Sequence, residues 1–188
     1  SGGGTIIDNA SHYLNLFEYL LGDIEKIHAF SNNLSFNQGV EDSAIITLMF
    51  KTNILGEIET SWQDLSGRNN QLIIYGSKAV VEYKEDNIGR QLEIKKYIQD
   101  SDAWNRLIRE NIYLPQGVEQ LSKKNNIDHE KCLTLESTEN MLRSFINLIK
   151  NRNNIEYEDL KCSIRTLKLV TAVYRSINSK KTIEVNKV

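Results

Sequence analysis

Asp8 and His12 are the residues of this chain whose types and spacing suit chemistry. They stand in Gly-Gly-Gly-Thr-Ile-Ile-Asp-Asn-Ala-Ser-His, residues 2–12, which runs into Tyr-Leu-Asn-Leu-Phe-Glu-Tyr-Leu-Leu-Gly at 13–22. The span Thr5–Leu21 is helix-compatible and has no proline. Positions i and i+4 share a helix face, so the carboxylate and the imidazole can meet. A carboxylate beside an imidazole fixes its tautomer and raises its basicity, which suits a general acid/base. The glycines just before let another backbone or a ligand approach closely. The same spacing also describes an ordinary surface pair contributing about 0.2–0.5 kcal/mol, or a core histidine satisfied by a carboxylate. Spacing alone leaves these readings open.

The elements that must position the pair follow from periodicity. The first helix, Thr5–Leu21, carries Tyr13, Leu16 and Leu20 at helical steps and ends at Gly22, a natural C′ residue. Ile24–Phe30 reads as a strand, with Ile24, Lys26 and His28 on one face and Ile27 and Ala29 on the other. Residues 31–42 are polar and read as a loop. Ser43–Lys51 alternates with Ala44, Ile46, Leu48 and Phe50 on one side, and Ile54–Trp62 returns after a Thr52-Asn53 turn. Leu72–Tyr75 and Ala79–Tyr83 flank Gly76-Ser77-Lys78 as a further hairpin, and Leu92–Ile98 alternates again.

Beyond that, Ala103–Asn111 reads as helical, and Pro115 and Gly117 then break the chain. Glu139–Lys150 and Asp159–Ile177 read as helices whose apolar stripes are core, and Ile183–Val185 as a closing strand. Strands joined by hairpins, with helices segregated from them, give an α+β class. The expectation is a single domain over residues 1–188. Its largely antiparallel (mixed) sheet has helices on one face and the other face open for oligomerisation. Strands 43–51, 54–62, 72–75, 79–83 and 92–98 would lie in that one sheet. Ile45, Met49 and Leu55 make the open face more apolar than solvation alone requires, among charges such as Glu57 and Glu59.

Composition narrows the function. A net charge of −2 gives no electrostatic case for nucleic acid or an anionic membrane. No apolar run approaches the roughly 18 residues of a membrane span, and no secretory signal pattern is present. Hydrophobic content of 40% and charged content of 26% are those of an ordinary globular fold. Cys132 and Cys162 form no close-spaced motif, so a reduced cytoplasmic compartment is the simplest reading. His12, His28 and His129 are scattered, and no metal-ligand spacing links them to the cysteines, so no metal site is expected.

Read in order, these blocks resemble a known family. Gly-Gly-x-x-x-x-Asp-x-x-x-His followed by Leu-Leu-Gly is similar to the start of the C-terminal domain of the Gfo/Idh/MocA family (glucose–fructose oxidoreductase, inositol dehydrogenase, rhizopine catabolism). Glu41-Asp42-Ser43-Ala44 opening a strand, Gly56-Glu57-Ile58 running to Ser61-Trp62, and Ile74-Tyr75-Gly76-Ser77-Lys78 have counterparts there. So do Phe145, Glu158-Asp159-Leu160 and Val173-Tyr174-Arg175-Ser176. The resemblance spans the chain apart from 99–136.

The resemblance implies the second half of an NAD- or NADP-dependent oxidoreductase acting on a sugar, cyclitol or sugar-nucleotide hydroxyl or ketone. It implies that His12 is the acid/base, that Asp8 orients it or binds substrate, and that Asn9 either reaches substrate or has a structural role. It also implies a homodimer or tetramer formed through the open sheet. The departures are as specific. Gly2 and Gly4 begin a Gly-x-Gly-x-x-Gly pattern, but position 7 is isoleucine. The family's lysine lies in a Glu-Lys-Pro motif, whereas the single proline here, Pro115, follows Leu114. No cofactor-binding residue is therefore assigned, no NAD or NADP is expected bound to this chain, and the chain alone is expected to be inactive. A non-catalytic binding or dimerisation module of the same fold is the alternative. A metal-dependent hydrolase using Asp8 and His12 would lack its third and fourth ligands.

Overall fold

A computed structural model describes residues 3–34, 39–63, 67, 69–86, 90–98, 106–112 and 158–188, and helical positions 139, 141–143, 145–147 and 150. The chain divides into two compact units, residues 1–63 with 156–188, and residues 64–155. The first contains a π turn at Ile6–Ala10, helix α1 (Ser11–Leu21), strands β1 (Ile24–Asn32), β2 (Ser43–Phe50) and β3 (Leu55–Ser61), helix α2 (Glu158–Ser179) and strand β8 (Ile183–Glu184). The second contains β4 (Asn70–Tyr75), β5 (Ala79–Glu85), β6 (Arg90–Ile98) and β7 (Arg106–Ile112). The class is α+β, built on antiparallel sheets, as the periodicity predicts.

The described strands form two four-stranded sheets, ordered β3-β2-β1-β8 and β4-β5-β6-β7, which corrects the expectation that they share one. Hairpin turns specify pairing only between strands they join. Asn53 adopts φ 62° in the β2–β3 turn, and the Phe50 N–H donates to Ile54 O at 2.9 Å. Eight residues separate Ser61 from Asn70, too many for a two-residue hairpin turn, so alternation leaves the partner of β3's outer edge undetermined. The other edge of β1 pairs with β8, which lies more than 150 residues later.

In the first unit the buried sheet face carries Ala44, Ile46, Leu48 and Phe50 of β2 and Ile58 of β3, in the predicted alternation. β1 departs from it. A register shift between Ile24 and Lys26 makes a bulge at Glu25, so Ile24 is buried with Ile27 and Ala29 instead of facing out with Lys26. The helix stripe is also shifted. Ile6, Ala10, Leu14 and Phe17 are buried, whereas Leu20 is exposed. This helix is apolar on adjacent stripes, and period alone does not choose between them.

α2 packs on β1 through its second half, where Leu169, Ala172, Val173 and Ser176 are fully buried. Ser176 Oγ accepts the Ala29 N–H at 3.0 Å and donates to Lys181 O at 2.7 Å, which satisfies a buried hydroxyl. The stripe is not core along its whole length. Leu160, Ile164 and Leu167 are exposed, as are Leu142, Phe145 and Ile146 in the 139–150 segment, whose described positions are helical. Helical spacing marks a common face, but only tertiary packing decides whether that face is covered. Ile149 lies outside the described residues.

An ion-pair cluster ties the element ends together. Arg165 Nη2 donates to Glu18 Oε1 at 2.8 Å and sits 3.2 Å from Asp23, and Lys51 Nζ meets Asp23 at 2.7 Å. The Glu18 carboxylate also accepts the Ile24 N–H at 2.9 Å. The Lys51 hydrogen bond and the Arg165 charge hold the Asp23 carboxyl below the usual carboxylate range, against the opposing effect of burial.

In the second unit, β7 replaces the helix predicted over Ala103–Asn111. Arg106–Ile112 pairs antiparallel with β6, matching Leu92 with Ile112 and Ile98 with Arg106. Leu107 and Ile108 suit either state locally. The available edge of β6 decides the outcome, as tertiary context commonly overrides propensity. Trp104, Pro115, Gly117 and 123–131 lie outside the described residues.

One sheet face here is charged. Lys84 at 2.8 Å, Lys95 at 2.5 Å and Gln71 at 2.9 Å converge on Glu82 and lower its carboxyl to about 2. A carboxyl depressed on folding stabilises fully above its unfolded value of 4.5, and that contribution is lost as pH falls toward 2. Urea melts at stepped pH should therefore show Glu82→Gln losing less stability than the parent chain between those two values. An identical acid profile for the two would remove Glu82 from the acid response.

Candidate functional site

The Gly-rich segment reaches the sheet before it becomes helical. Thr5 N–H donates to Glu41 O at 3.1 Å, and Asp8 N–H to Gly4 O at 3.1 Å. Gly4 is required by contact: a Cβ there would run into the backbone oxygen and carboxylate of Glu41. Thr5 is fully buried, and its hydroxyl meets that of Thr60 on β3 at 2.6 Å.

The predicted helix Thr5–Leu21 is observed in two parts. Ile6–Ala10 forms a π turn, closed by the Ser11 N–H on Ile6 O, and α1 follows. The Ser11 hydroxyl donates to Ile7 O at 2.7 Å and competes for a carbonyl of that turn. Single π turns of this kind occur frequently at functional sites. No residue pattern in 6–10 announces it.

Asp8 lies in the middle of the π turn and His12 at the second position of α1, and both side chains are exposed. Among the described residues neither makes a hydrogen bond or ion pair, including with the other. Asp8 sits in the first turn of the helical segment, where the peptide dipoles favour a negative charge. Asn9 is half-buried and points back into the fold, its Nδ2 donating to Thr5 Oγ1 at 3.4 Å. The carboxylate and imidazole are thus open to an incoming molecule, while Asn9 has an internal partner.

Sequence reasoning assigned no role to Glu41 and Tyr174, although both stand in the blocks quoted above. Glu41 Oε1 accepts the Ile6 N–H at 3.1 Å and the Tyr174 hydroxyl at 2.8 Å. Burial first, and the carboxylate beside it second, push the Tyr174 phenol well above its ordinary value, so it stays a donor. The two residues are 133 positions apart, and no local signal links them.

Every strand pairing among the described residues is antiparallel. A dinucleotide phosphate site needs a strand–loop–helix unit of a parallel sheet. Among the described residues no such parallel unit is present. Among them no three His, Cys, Asp or Glu side chains converge as metal ligands would, and no helix is long and apolar enough to cross a membrane.

Residues 1–82 match the GFO/IDH/MocA C-terminal domain, in agreement with the family resemblance. No curated protein sequence matches the chain. Solved structures share the fold. Levoglucosan dehydrogenase in complex with NADH aligns over 98% of this chain and 51% of its own, with TM-score 0.70 and 16% identity. The WlbA dehydrogenase of Bordetella pertussis, in complex with NADH and UDP-GlcNAcA, aligns over 97% and 48%, with TM-score 0.64 and 19% identity. A protein of Desulfitobacterium hafniense aligns over 97% and 48%, with TM-score 0.69 and 16% identity. The chain spans about half the length of these structures.

Proposed function

We propose that this chain, whose first 82 residues match the GFO/IDH/MocA C-terminal domain, is the substrate-binding and oligomerisation half of an NAD- or NADP-dependent oxidoreductase. Its substrate is a sugar, cyclitol or sugar nucleotide, and the reacting position a hydroxyl or ketone. The observation that carries this reading is the exposed Asp8–His12 pair, delivered by a π turn inside the family-matched segment.

His12 in its neutral form takes the hydroxyl proton as the carbonyl forms, and returns it in the reverse direction. Asp8, which makes no hydrogen bond to His12 in this structure, turns toward the imidazolium produced or holds a substrate hydroxyl when substrate is bound. Asn9 contacts substrate if its bond to Thr5 gives way. The hydride acceptor is held outside this chain, in a cytoplasmic enzyme. The protein containing both halves should change nicotinamide absorbance with members of a sugar, cyclitol and sugar-nucleotide panel. No turnover with any of them would overturn the assignment. The 188-residue chain alone should show only non-specific NAD(H) or NADP(H) binding by calorimetry, and saturable micromolar binding would contradict this.

The second reading, a non-catalytic dimerisation module, rests on the open face of the β3-β2-β1-β8 sheet. The register aligns Phe30, Ile45 and Glu59 in one row and Lys26, Met49 and Leu55 in another. Phe30 is 64% and Leu55 77% exposed, and the Phe30 ring stands edge-on to His28 with centroids 4.9 Å apart. Both readings place a homodimer or tetramer on this face, since a two-fold contact suits a mixed apolar and polar surface. Sedimentation at micromolar concentration should show the oligomer, and Ile45→Lys with Leu55→Lys should return it to monomer. A parent chain that sediments as a monomer would exclude the face as an interface.

A further inference from the structure

We infer that Glu41 is a positioning residue for the Asp8–His12 site, acting through the backbone of the π turn and itself held by Tyr174. The inference rests on the reading of that pair as the reacting groups. Three observations converge on Glu41. Its backbone oxygen takes the Thr5 N–H and its side-chain Oε1 takes the Ile6 N–H, so one residue receives two successive amides at the entry to the π turn. Gly4 lies against it so closely that no side chain fits between them. The Tyr174 hydroxyl occupies the same Oε1 from the buried half of α2.

Helix-entry amides have no intrahelical partner, and a carboxylate that accepts them also complements the positive end of the dipoles. Here that carboxylate comes from the segment leading into β2, an interior strand, instead of from a local cap. The start of the π turn is thereby referenced to the sheet and to α2, and the turn in turn sets where Asp8 and His12 emerge. Among the described residues no hydrogen bond or ion pair joins Glu41 or Tyr174 to either residue; their effect travels along Ile6–Ala10. Asn9 and Thr60 provide a second tie through Thr5.

The test uses the 188-residue chain, and its readouts are amide hydrogen exchange and the His12 imidazole NMR resonances. In Glu41→Ala the Ile6 amide should exchange about ten- to a hundredfold faster, as expected for losing a bond to a charged acceptor. Ile46 and Leu48, in the middle of β2, should follow global stability only. The His12 ring resonances should move or broaden. Glu41→Gln keeps an oxygen at Oε1 and should restore both readouts. Tyr174→Phe should shift His12 in the same direction by less.

His12 resonances that stay in place in Glu41→Ala while Ile6 exchange rises would make Glu41 a local cap only and overturn the inference. Failure of Glu41→Gln to restore them would do the same. If Glu41→Ala does not fold, Tyr174→Phe decides, and an unshifted His12 there overturns the inference. Failure of the proton-transfer reading would instead appear as turnover that does not depend on His12.

Discussion

Replacing His12 by alanine in the protein that contains both halves should lower kcat by roughly 10²–10⁴, the range for losing a general acid/base. The imidazole is exposed at the start of α1 and has no partner among the described residues, so its removal leaves the buried stripe of Ile6, Ala10, Leu14 and Phe17 intact. Unfolding midpoints of parent and variant should therefore agree. The loss should fall on kcat and kcat/KM together, because the proton is moved only in the transition state. Asp8→Asn keeps shape and removes charge, and should cost less than His12→Ala. Turnover unchanged by His12→Ala would take the residue out of the mechanism and favour the dimerisation module.

The largest effect on stability should come from Phe50→Ala, about 3–5 kcal/mol by denaturant unfolding. Phe50 is fully buried and ends β2 directly against the β2–β3 turn. Its ring lies beside Gly56, where a Cβ would stand 3.2 Å from Cε2. Glycine has no side chain to move into the space the ring leaves, so the cavity persists and the cost lies toward the top of the range. Phe30→Ala is the matching control. Its ring is 64% exposed on the open face, and its loss should weaken self-association while hardly changing the unfolding free energy. A Phe50→Ala cost under about 1 kcal/mol would mean the site collapses around the missing ring.

Where the physics is local, the sequence by itself determined the outcome. The alternation of Ala44, Ile46, Leu48 and Phe50 set which face of β2 is core. Gly22 ended α1 as the positive-φ residue expected there, though at φ 91° and ψ −170° it is an extended C-cap rather than the left-handed C′ residue. Asn53 made the hairpin turn. The spacing of Asp8 and His12 placed both on the first helical segment, where both are exposed.

Tertiary structure alone decided everything that depended on a distant partner. It made a strand of Arg106–Ile112, because β6 offered an edge. It turned Ile24 inward through the bulge at Glu25, chose the Leu14–Phe17 stripe over Leu16–Leu20, and left Leu160, Ile164 and Leu167 uncovered. It divided the strands between two sheets, because the eight-residue stretch between Ser61 and Asn70 does not impose the pairing a two-residue turn would. It also brought Tyr174 to Glu41 and both to the π turn. Each of these outcomes sets one segment's local preference against a contact far along the chain, and such contacts leave no periodicity in the residues that make them.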